Sequence, residues 1–498
     1  LNAVGAKVTI KSNDQIFYLE QSPNRGFQSS VDKIMNFGLG RITNIDSLIV
    51  DWYYGKRTIL TDISVNQTLV LSEAEAKNPD DIKQAKNQNP QIFKNITEKI
   101  NIDYKHVENN YVDFDRDRLL YHMKSTEGPK IDVGDVNNDG KMDFYIGGAK
   151  DIAGKLFLNV DQNIFEPSNQ DLFEKDKQSE DSQVVFFDAD LDGDLDLYVS
   201  SGGVEYSSAS YALFDRLYIN DGFGEFSRSS QLLPLSKPES TSVVLPNDFD
   251  KDGDLDLFIG GRLSPHRYPV SVSSYLMKND GKGNFSIVND QLAPELNNLG
   301  MVSDAIFADV DNDGWTDLML AGEFMPLMLF KNSDGAFKLS KQSNLNKRSG
   351  FWNSLASGDF DKDGDLDFIA GNLGLNSQIQ ASDENPFRIY FGDFDNNGAI
   401  DVIPTMWRKS LEGDKKEFPF FTRADIQKQV ISVKKAYLKH EEFGKVTIGQ
   451  ILKLFPNTQI LFEKGKQEIF IKTVINDEEG ISKISTCKKK EKFDKRST

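Results

Sequence analysis

Cysteine is nearly missing from this chain of 498 residues: Cys487 stands alone. No disulfide framework can be built on it, and thiols say nothing of the redox compartment. Histidine is almost as scarce, with His106, His122, His266 and His440 set in unlike contexts. Little is left for imidazole or thiolate coordination, so a bound metal would sit on oxygen. Basic charge is also in deficit, with 58 Lys and Arg against 77 Asp and Glu and a net charge of −19. Phosphate binding needs a basic face, which argues against a nucleic-acid partner. No apolar run approaches the ~20 residues of a membrane helix, and no signal-like segment opens the chain. The chain starts at Leu1 and reads as strand almost at once, so the expectation is that the natural N-terminus lies upstream and that export stays open.

What is present is globular in composition: 38% hydrophobic residues, 11% aromatic, and 35 phenylalanines. At roughly 100 to 200 residues per domain the length fits two to four domains. Residues 1–75 alternate apolar and polar in "AKVTIKS", "QIFYLEQS", "SLIVDWYYG", "TILTDIS" and "QTLVLSE", which predicts a small all-β unit. Residues 76–111 are polar, carry two prolines and read as a linker with room for a short helix. From 112 to 405 one unit recurs: an acidic loop, a short apolar strand ending in glycine, then often a hairpin such as "LYINDGFGEF", "LMKNDGKGNF" or "LFKNSDGAF". The loops begin at 135, 188, 248, 309, 359 and 393. Spacings of this order suit four short strands per unit and predict a mainly β fold, a β-propeller of about six to eight blades. The spacing leaves open how such a ring closes and whether the chain is a fragment. Residues 406–465 are expected to be a helical segment, with two helices over 422–455 and a possible role as a propeller insertion, and 466–498 a short strand and a solvated basic tail.

The six loops share one phase. They read DVNNDGKMD (Asp135, Asn137, Asp139, Lys141, Asp143), DADLDGDLD (Asp188, Asp190, Asp192, Asp194, Asp196), DFDKDGDLD (Asp248, Asp250, Asp252, Asp254, Asp256), DVDNDGWTD (Asp309, Asp311, Asp313, Trp315, Asp317), DFDKDGDLD (Asp359, Asp361, Asp363, Asp365, Asp367) and DFDNNGAID (Asp393, Asp395, Asn397, Ala399, Asp401). Positions 1, 3, 5 and 9 are always Asp or Asn, and position 6 is always Gly. Short carboxylates on alternate residues of a tight loop can converge on one hard cation, and the position-7 carbonyl would complete an oxygen set suited to calcium rather than magnesium. An EF-hand is set aside, because its bidentate Glu at position 12 is replaced by Ile146, Val199, Ile259, Leu320, Ala370 and Pro404. One such loop would be an ordinary surface turn. Six in phase hold twenty-five aspartates, whose mutual repulsion opposes folding unless neutralised. Six calcium ions would take −19 to about −7. The first and sixth loops, where Asn137 and Asn397 replace a carboxylate, are expected to bind more weakly than the second, third and fifth.

These loops, with their "DLFIGG" strands and "NDGxGxF" hairpins, resemble the FG-GAP or VCBS repeats of integrin-α-type β-propellers over roughly 130–405. The resemblance implies that Asp or Asn at positions 1, 3, 5 and 9 are the side-chain ligands. "GAKVTI", "FGLGRITNIDSLIVDW" and "NQTLVL" are similar to the ASPIC/UnbV domain, found beside such propellers in bacterial surface proteins and in the cartilage acidic protein family. "LLYHMKSTEGPKIDVGDVNNDG" also resembles the lead-in to the propeller of Bacteroidota VCBS-repeat proteins. The expected function is a calcium-binding extracellular or cell-surface scaffold for a protein or glycan ligand, without nucleic acid or a transmembrane segment. The alternative is a calcium-dependent polysaccharide lyase or hydrolase, although no catalytic motif is found. "GGRLSPHRYPV", with Arg262, His266, Arg267 and Tyr268, reads as a long inter-strand loop, a ligand site being the other reading.

Overall fold

The computed structural model describes residues 3–24, 34–78, 95–96, 99–120, 122–161, 164–234, 238–341, 345, 349–373, 377–379, 381–382, 384–455, 461–465, 470–472, 474–475 and 483–484. Cys487, the basic tail from 485 and residues 79–94 of the expected linker lie outside them. The chain divides into two compact units, Leu1–Ile96 and Thr97–Thr498. The second therefore begins inside the stretch read as a linker. Asn101 is already tied to it, exchanging side-chain bonds with the Phe165 backbone at 2.7 and 3.0 Å.

The first unit is one antiparallel sheet of β1 (Lys7–Ser12), β2 (Gln15–Glu20), β3 (Asn44–Asp51) and β4 (Arg57–Ser64), in the order β2-β1-β3-β4. Val8 and Ile10 on β1, Ile45, Leu48 and Val50 on β3 and Ile63 on β4 are buried together with Trp52. Alternation thus sends one face inward, as expected of a half-buried sheet. The fifth expected strand, "QTLVLSE", forms no ladder. Leu71 of the stretch, like Val65 just before it, packs partly buried against the sheet's apolar core, while Leu69 and Val70 are exposed.

The second unit is a succession of antiparallel sheets. The first holds β5 (Ile131–Gly134), β6 (Asp143–Ile146), β7 (Lys155–Asp161) and β8 (Ile164–Ser168). The second holds β9 (Asp181–Phe187), β10 (Asp196–Ser201), β11 (Arg216–Ile219) and β12 (Ser227–Arg228), and the third β13 (Ser240–Asn247), β14 (Asp256–Leu263), β15 (Tyr275–Lys278) and β16 (Ser286–Ile287). A larger sheet combines β17 (Met301–Ala308), β18 (Asp317–Pro326), β19 (Met328–Ser333) and β20 (Ala336–Leu339) with β21 (Ser349–Gly358) and β22 (Asp367–Asn372), joined through β18 and β21. The last holds β23 (Phe387–Gly392), β24 (Asp401–Lys409), β25 (Lys415–Pro419) and β26 (Leu461–Gly465), and β27 (Phe470–Lys472) pairs with β22.

The short interval between the loops at 359 and 393 now has a cause. The fifth and sixth repeats are short of consecutive strands, and β26 and β27 return from beyond residue 460 to fill their edges. The expected boundary at 405 falls inside β24, and 406–419 completes the β24–β25 hairpin. Four short helices follow in place of two: Arg423–Gln429, Ile431–Ala436, His440–Phe443 and Ile448–Leu452. Extended backbone at Val430 and Tyr437 interrupts the run, and Thr447 with Gln450 forms a capping box that starts the last helix afresh.

There is no single core. Val136, Tyr145 and Leu156 of the first repeat pack with Val184, Leu197 and Tyr218 of the second. Phe187 and Tyr198 then meet Val244, Leu257 and Met277 of the third, and Phe258 and Leu276 meet Val302, Leu318 and Phe330 of the fourth. Each sheet is buried on the face of the next, at about 1.5–3 kcal/mol for each large apolar side chain. The glycines ending the apolar strands permit this approach: a Cβ on Gly260 would lie 2.5 Å from Val243 and 2.9 Å from Val302.

Candidate metal centres

Each nonapeptide joins the first two strands of its repeat, and its position-9 aspartate is the first residue of the second strand in all six. The local fold follows from the sequence. Position 4 (Asn138, Leu191, Lys251, Asn312, Lys362, Asn396) and the position-6 glycine both have positive φ, the glycines between 82° and 102°. Glycine adopts that backbone at little penalty. In every loop the glycine N–H donates to the position-1 aspartate, at 2.8–3.3 Å. In every loop the position-7 N–H, from Lys141, Asp194, Asp254, Trp315, Asp365 or Ala399, donates to the position-5 side chain at 2.7–3.3 Å.

The chain is thereby bent until carboxylates meet. Oxygens of Asp188, Asp190 and Asp196 lie within 4.8 Å of one another, as do those of Asp248, Asp250 and Asp252, of Asp309, Asp311 and Asp317, of Asp359, Asp361 and Asp367, and of Asp393, Asp395 and Asp401. Among the described residues the first loop forms no such group of acids, since Asn137 takes the place of the third carboxylate. The convergent set is positions 1, 3 and 9 in four loops and 1, 3 and 5 in the third. Asp192, Asp313, Asp363 and Asn397 are instead spanned by the position-7 amide.

Position 9 is the buried anchor, with Asp143, Asp196, Asp256, Asp317 and Asp367 at 0% exposure and Asp401 at 2%. Burial, and after it neighbouring aspartates, pushes Asp196 and Asp256 up to about 7 and Asp401 up to about 6. Asp194 and Asp254 are likewise raised to about 6 by burial and then by adjacent aspartates. Buried oxygens of Asp190, Asp194, Asp248, Asp250, Asp254 and Asp256 find no hydrogen-bond partner among the described residues. Buried acceptors in this state call for a cation or a donor. The donor set is all oxygen, so these residues fit a hard divalent ion.

Two features were hidden in the sequence. In the third loop Lys278 Nζ contacts Asp250 and lies 3.0 Å from Asp252, and in the fourth Lys331 Nζ is bound to Asp311 and Asp317. The matching residue of the second repeat is Ile219, so that loop has no such internal cation and is set apart from the third, which the composition alone ranks beside it. The next residue matters as well. Asn220, Asn279 and Asn332 each donate Nδ2 to the position-2 carbonyl of the preceding loop, those of Val136, Ala189 and Phe249, at 2.8 Å. Their own N–H groups donate to the position-9 aspartates Asp196, Asp256 and Asp317 at 2.8, 2.9 and 2.8 Å. The Asn of each "N-D-G" therefore clamps neighbouring repeats, beyond the turn role its sequence signals.

At the strand ends remote from the loops, Arg262 of β14 and Glu323 of β18 meet at 3.2 Å. Lys124 is paired with Glu323, Arg262 holds Glu127 at 3.0 Å, and His122 and Tyr268 reach Glu323 at 2.9 and 3.2 Å. Burial would raise Glu323, but Lys124 and Arg262 hold it well below the usual carboxylate range. Arg262 and Tyr268 are thus committed to an internal network, and His266 Nε2 lies 2.7 Å from the Tyr206 carbonyl.

Comparison with known proteins places this geometry. No curated protein matches the chain significantly. Among solved structures, a candidate exo-β-1,3-galactanase from Bifidobacterium bifidum s17 aligns over 59% of this chain and 90% of its own at 9% identity and a TM-score of 0.28. A likeness of that size carries no weight for fold or activity. Residues 248–320 and 309–370, which contain the third, fourth and fifth nonapeptides, match the FG-GAP-like repeat. Residues 1–78 match the ASPIC and UnbV family, so the chain joins an ASPIC/UnbV segment to FG-GAP-like repeats.

Proposed function

We propose that the chain is a calcium-stabilised scaffold of the extracellular space or cell surface, with its repeats arranged as blades of a propeller that presents binding surfaces to a protein or glycan. The observation that carries this reading is the convergence of three acidic oxygens within 4.8 Å in five loops, with buried oxygens left over in the second and third. Calcium accepts six to eight such oxygens at flexible geometry, whereas magnesium retains water and demands a near-ideal octahedron. Successive sheets packed face to face, with a nonapeptide joining the first two strands of every repeat, support the blade arrangement.

Thermal melting with calcium, with magnesium and with EGTA tests the reading. Calcium should raise the melting temperature of the second unit, and magnesium at the same concentration should do so far less. Identical melting in all three would remove calcium from the fold.

A further inference from the structure

The second unit contains an open cleft of about 810 Å³ between the β24–β25 hairpin and the helices over 423–452, lined by none of the nonapeptide residues. Its charge runs against that of the chain. Where the whole sequence is acidic, the lining offers Arg408, Lys409, Lys416, Arg423 and Lys445 against one acid, Glu412. Lys416 is held by Glu412 and Asp414 at 3.0 and 3.1 Å, and Lys445 by Glu441 at 3.1 Å. Arg408 and Lys409 have no side-chain ion pair among the described residues. Arg423 is 8% exposed and donates Nε to the Tyr437 carbonyl, with no carboxylate partner among the described residues. A guanidinium that lines the cleft with only its Nε engaged and no acid beside it favours an incoming anion.

The rest of the lining says which anion. Phe418, Phe420 and Phe421 are half-buried, and the last two rings stand edge to face at 5.2 Å. An inorganic ion gains nothing from aromatic rings, whereas a sugar lays its C–H faces on them and keeps its carboxylates for arginine and lysine. The volume falls in the range of roughly 300–1,000 Å³ typical of small-ligand sites. An acidic peptide would seek a strand edge, and β25, the edge strand here, is approached by the helix Ile448–Leu452. We propose that this cleft binds an anionic, carboxylate-bearing oligosaccharide through Arg408, Lys409 and Arg423, with the phenylalanine rings as its floor. The inference rests on the binding-scaffold reading and gives it a ligand class.

Calorimetric titration of the full chain in calcium and in EGTA tests it, with hexagalacturonate and a hyaluronan hexasaccharide as probes and chitohexaose and hexaglutamate as comparators. At least one uronate probe should bind, weaken with added salt, and lose tenfold or more in affinity in the double variant Arg408→Ala/Lys409→Ala, the loss expected when charge-assisted bonds are removed. Both side chains are exposed, so the variant should melt as the parent does. Failure of both uronates to bind, equal binding of the neutral sugar or the peptide, or an unchanged double variant would overturn the proposal. Calcium-dependent melting is read independently, so loss of the cleft and loss of the scaffold reading are separable.

Discussion

Replacing Asp190 by Asn distinguishes a metal ligand from a surface acid by the sign of its effect. Asp190 sits at position 3 of the second loop, with its oxygens grouped with those of Asp188 and Asp196 and one of them buried without a partner. Burial, and then the charges of Asp192 and Asp188, holds its carboxyl above the usual range. Without metal, removing that charge relieves repulsion and keeps the shape, so the variant in EGTA should melt at or above the parent's temperature. With calcium the balance inverts. At a concentration one hundred times Kd a bound ion contributes about 2.7 kcal/mol, and losing one charged ligand should weaken the site by roughly ten- to one-hundred-fold, about 1.4–2.7 kcal/mol. For a unit of roughly 400 residues unfolding together, about 2 kcal/mol lowers Tm by about 2 °C. Differential scanning calorimetry in the two buffers reads both signs, and titration calorimetry reads the loss of a tight site. Destabilisation of equal size in both buffers would show that Asp190 serves only the turn, and the cation argument would fail at its best-formed loop.

Other consequences follow from the same geometry. Lys278→Met removes the ammonium competing for Asp250 and Asp252, so the third loop should bind calcium about tenfold more tightly while the metal-free protein loses stability; titration calorimetry and melting in EGTA check the two halves. Asn279→Ala deletes bonds of 2.8 and 3.1 Å to the carbonyls of Ala189 and Leu255 at a site 3% exposed; at about 1–3 kcal/mol for each buried group left unpaired, denaturant unfolding in EGTA should show a loss of about 3 kcal/mol. Burial, and for Glu180 also Glu205 and Glu108, raises Glu180 to about 8 and Asp215 to about 7. Because these folded values exceed the unfolded ones, their contribution is complete below about pH 4 and is lost as pH climbs through 7 and 8, at up to about 1.4 kcal/mol per pH unit for each group. Glu180→Gln should flatten that slope in urea unfolding followed from pH 5 to 8, and an unchanged slope would refute the assignment.

Periodic features were legible and long-range ones were not. The six nonapeptides could be read because a nine-residue turn carries its whole geometry in adjacent positions: glycine for positive φ and aspartates on alternate residues. Strands such as "DLFIGG" were legible because burial on both faces leaves a continuous apolar run. "QTLVLSE" has the right alternation and still forms no strand, since a period of two states that one face is buried but not that a partner strand exists. The internal cations Lys278 and Lys331 escaped notice because a lysine before an "N-D-G" or "N-S-D-G" hairpin looks like solvated surface; only folding lays β15 and β19 beside the loops. A short strand was expected beyond 466, where β27 lies, but β26 and the pairings of both strands were hidden, because their partners β23 and β22 lie about 75 and 100 residues earlier in the chain. The helices over 423–452 showed their apolar period but not their breaks, which come from extended backbone at Val430 and Tyr437.

The position-9 aspartate shows how metal binding would be coupled to folding in these repeats. One of its oxygens accepts the N–H of the asparagine ending the third strand, in Asp196 with Asn220, Asp256 with Asn279 and Asp317 with Asn332. That asparagine holds the preceding loop by its position-2 carbonyl, and in the second and fourth loops the position-2 N–H returns to that loop's own position-9 aspartate at 2.9 and 3.2 Å. An ion held at Asp196, a member of its loop's convergent set, would therefore fix Asn220, and through Val136, whose N–H donates to Asp143 at 3.1 Å, the geometry around Asp143. Each of the first three loops is braced by the repeat that follows it, so the affinity of a site there would depend on whether its neighbour is folded. Binding energy placed in one turn would be shared along these hydrogen bonds, which on the calcium reading lets a cluster of like charges stand beside a buried strand and stabilise it.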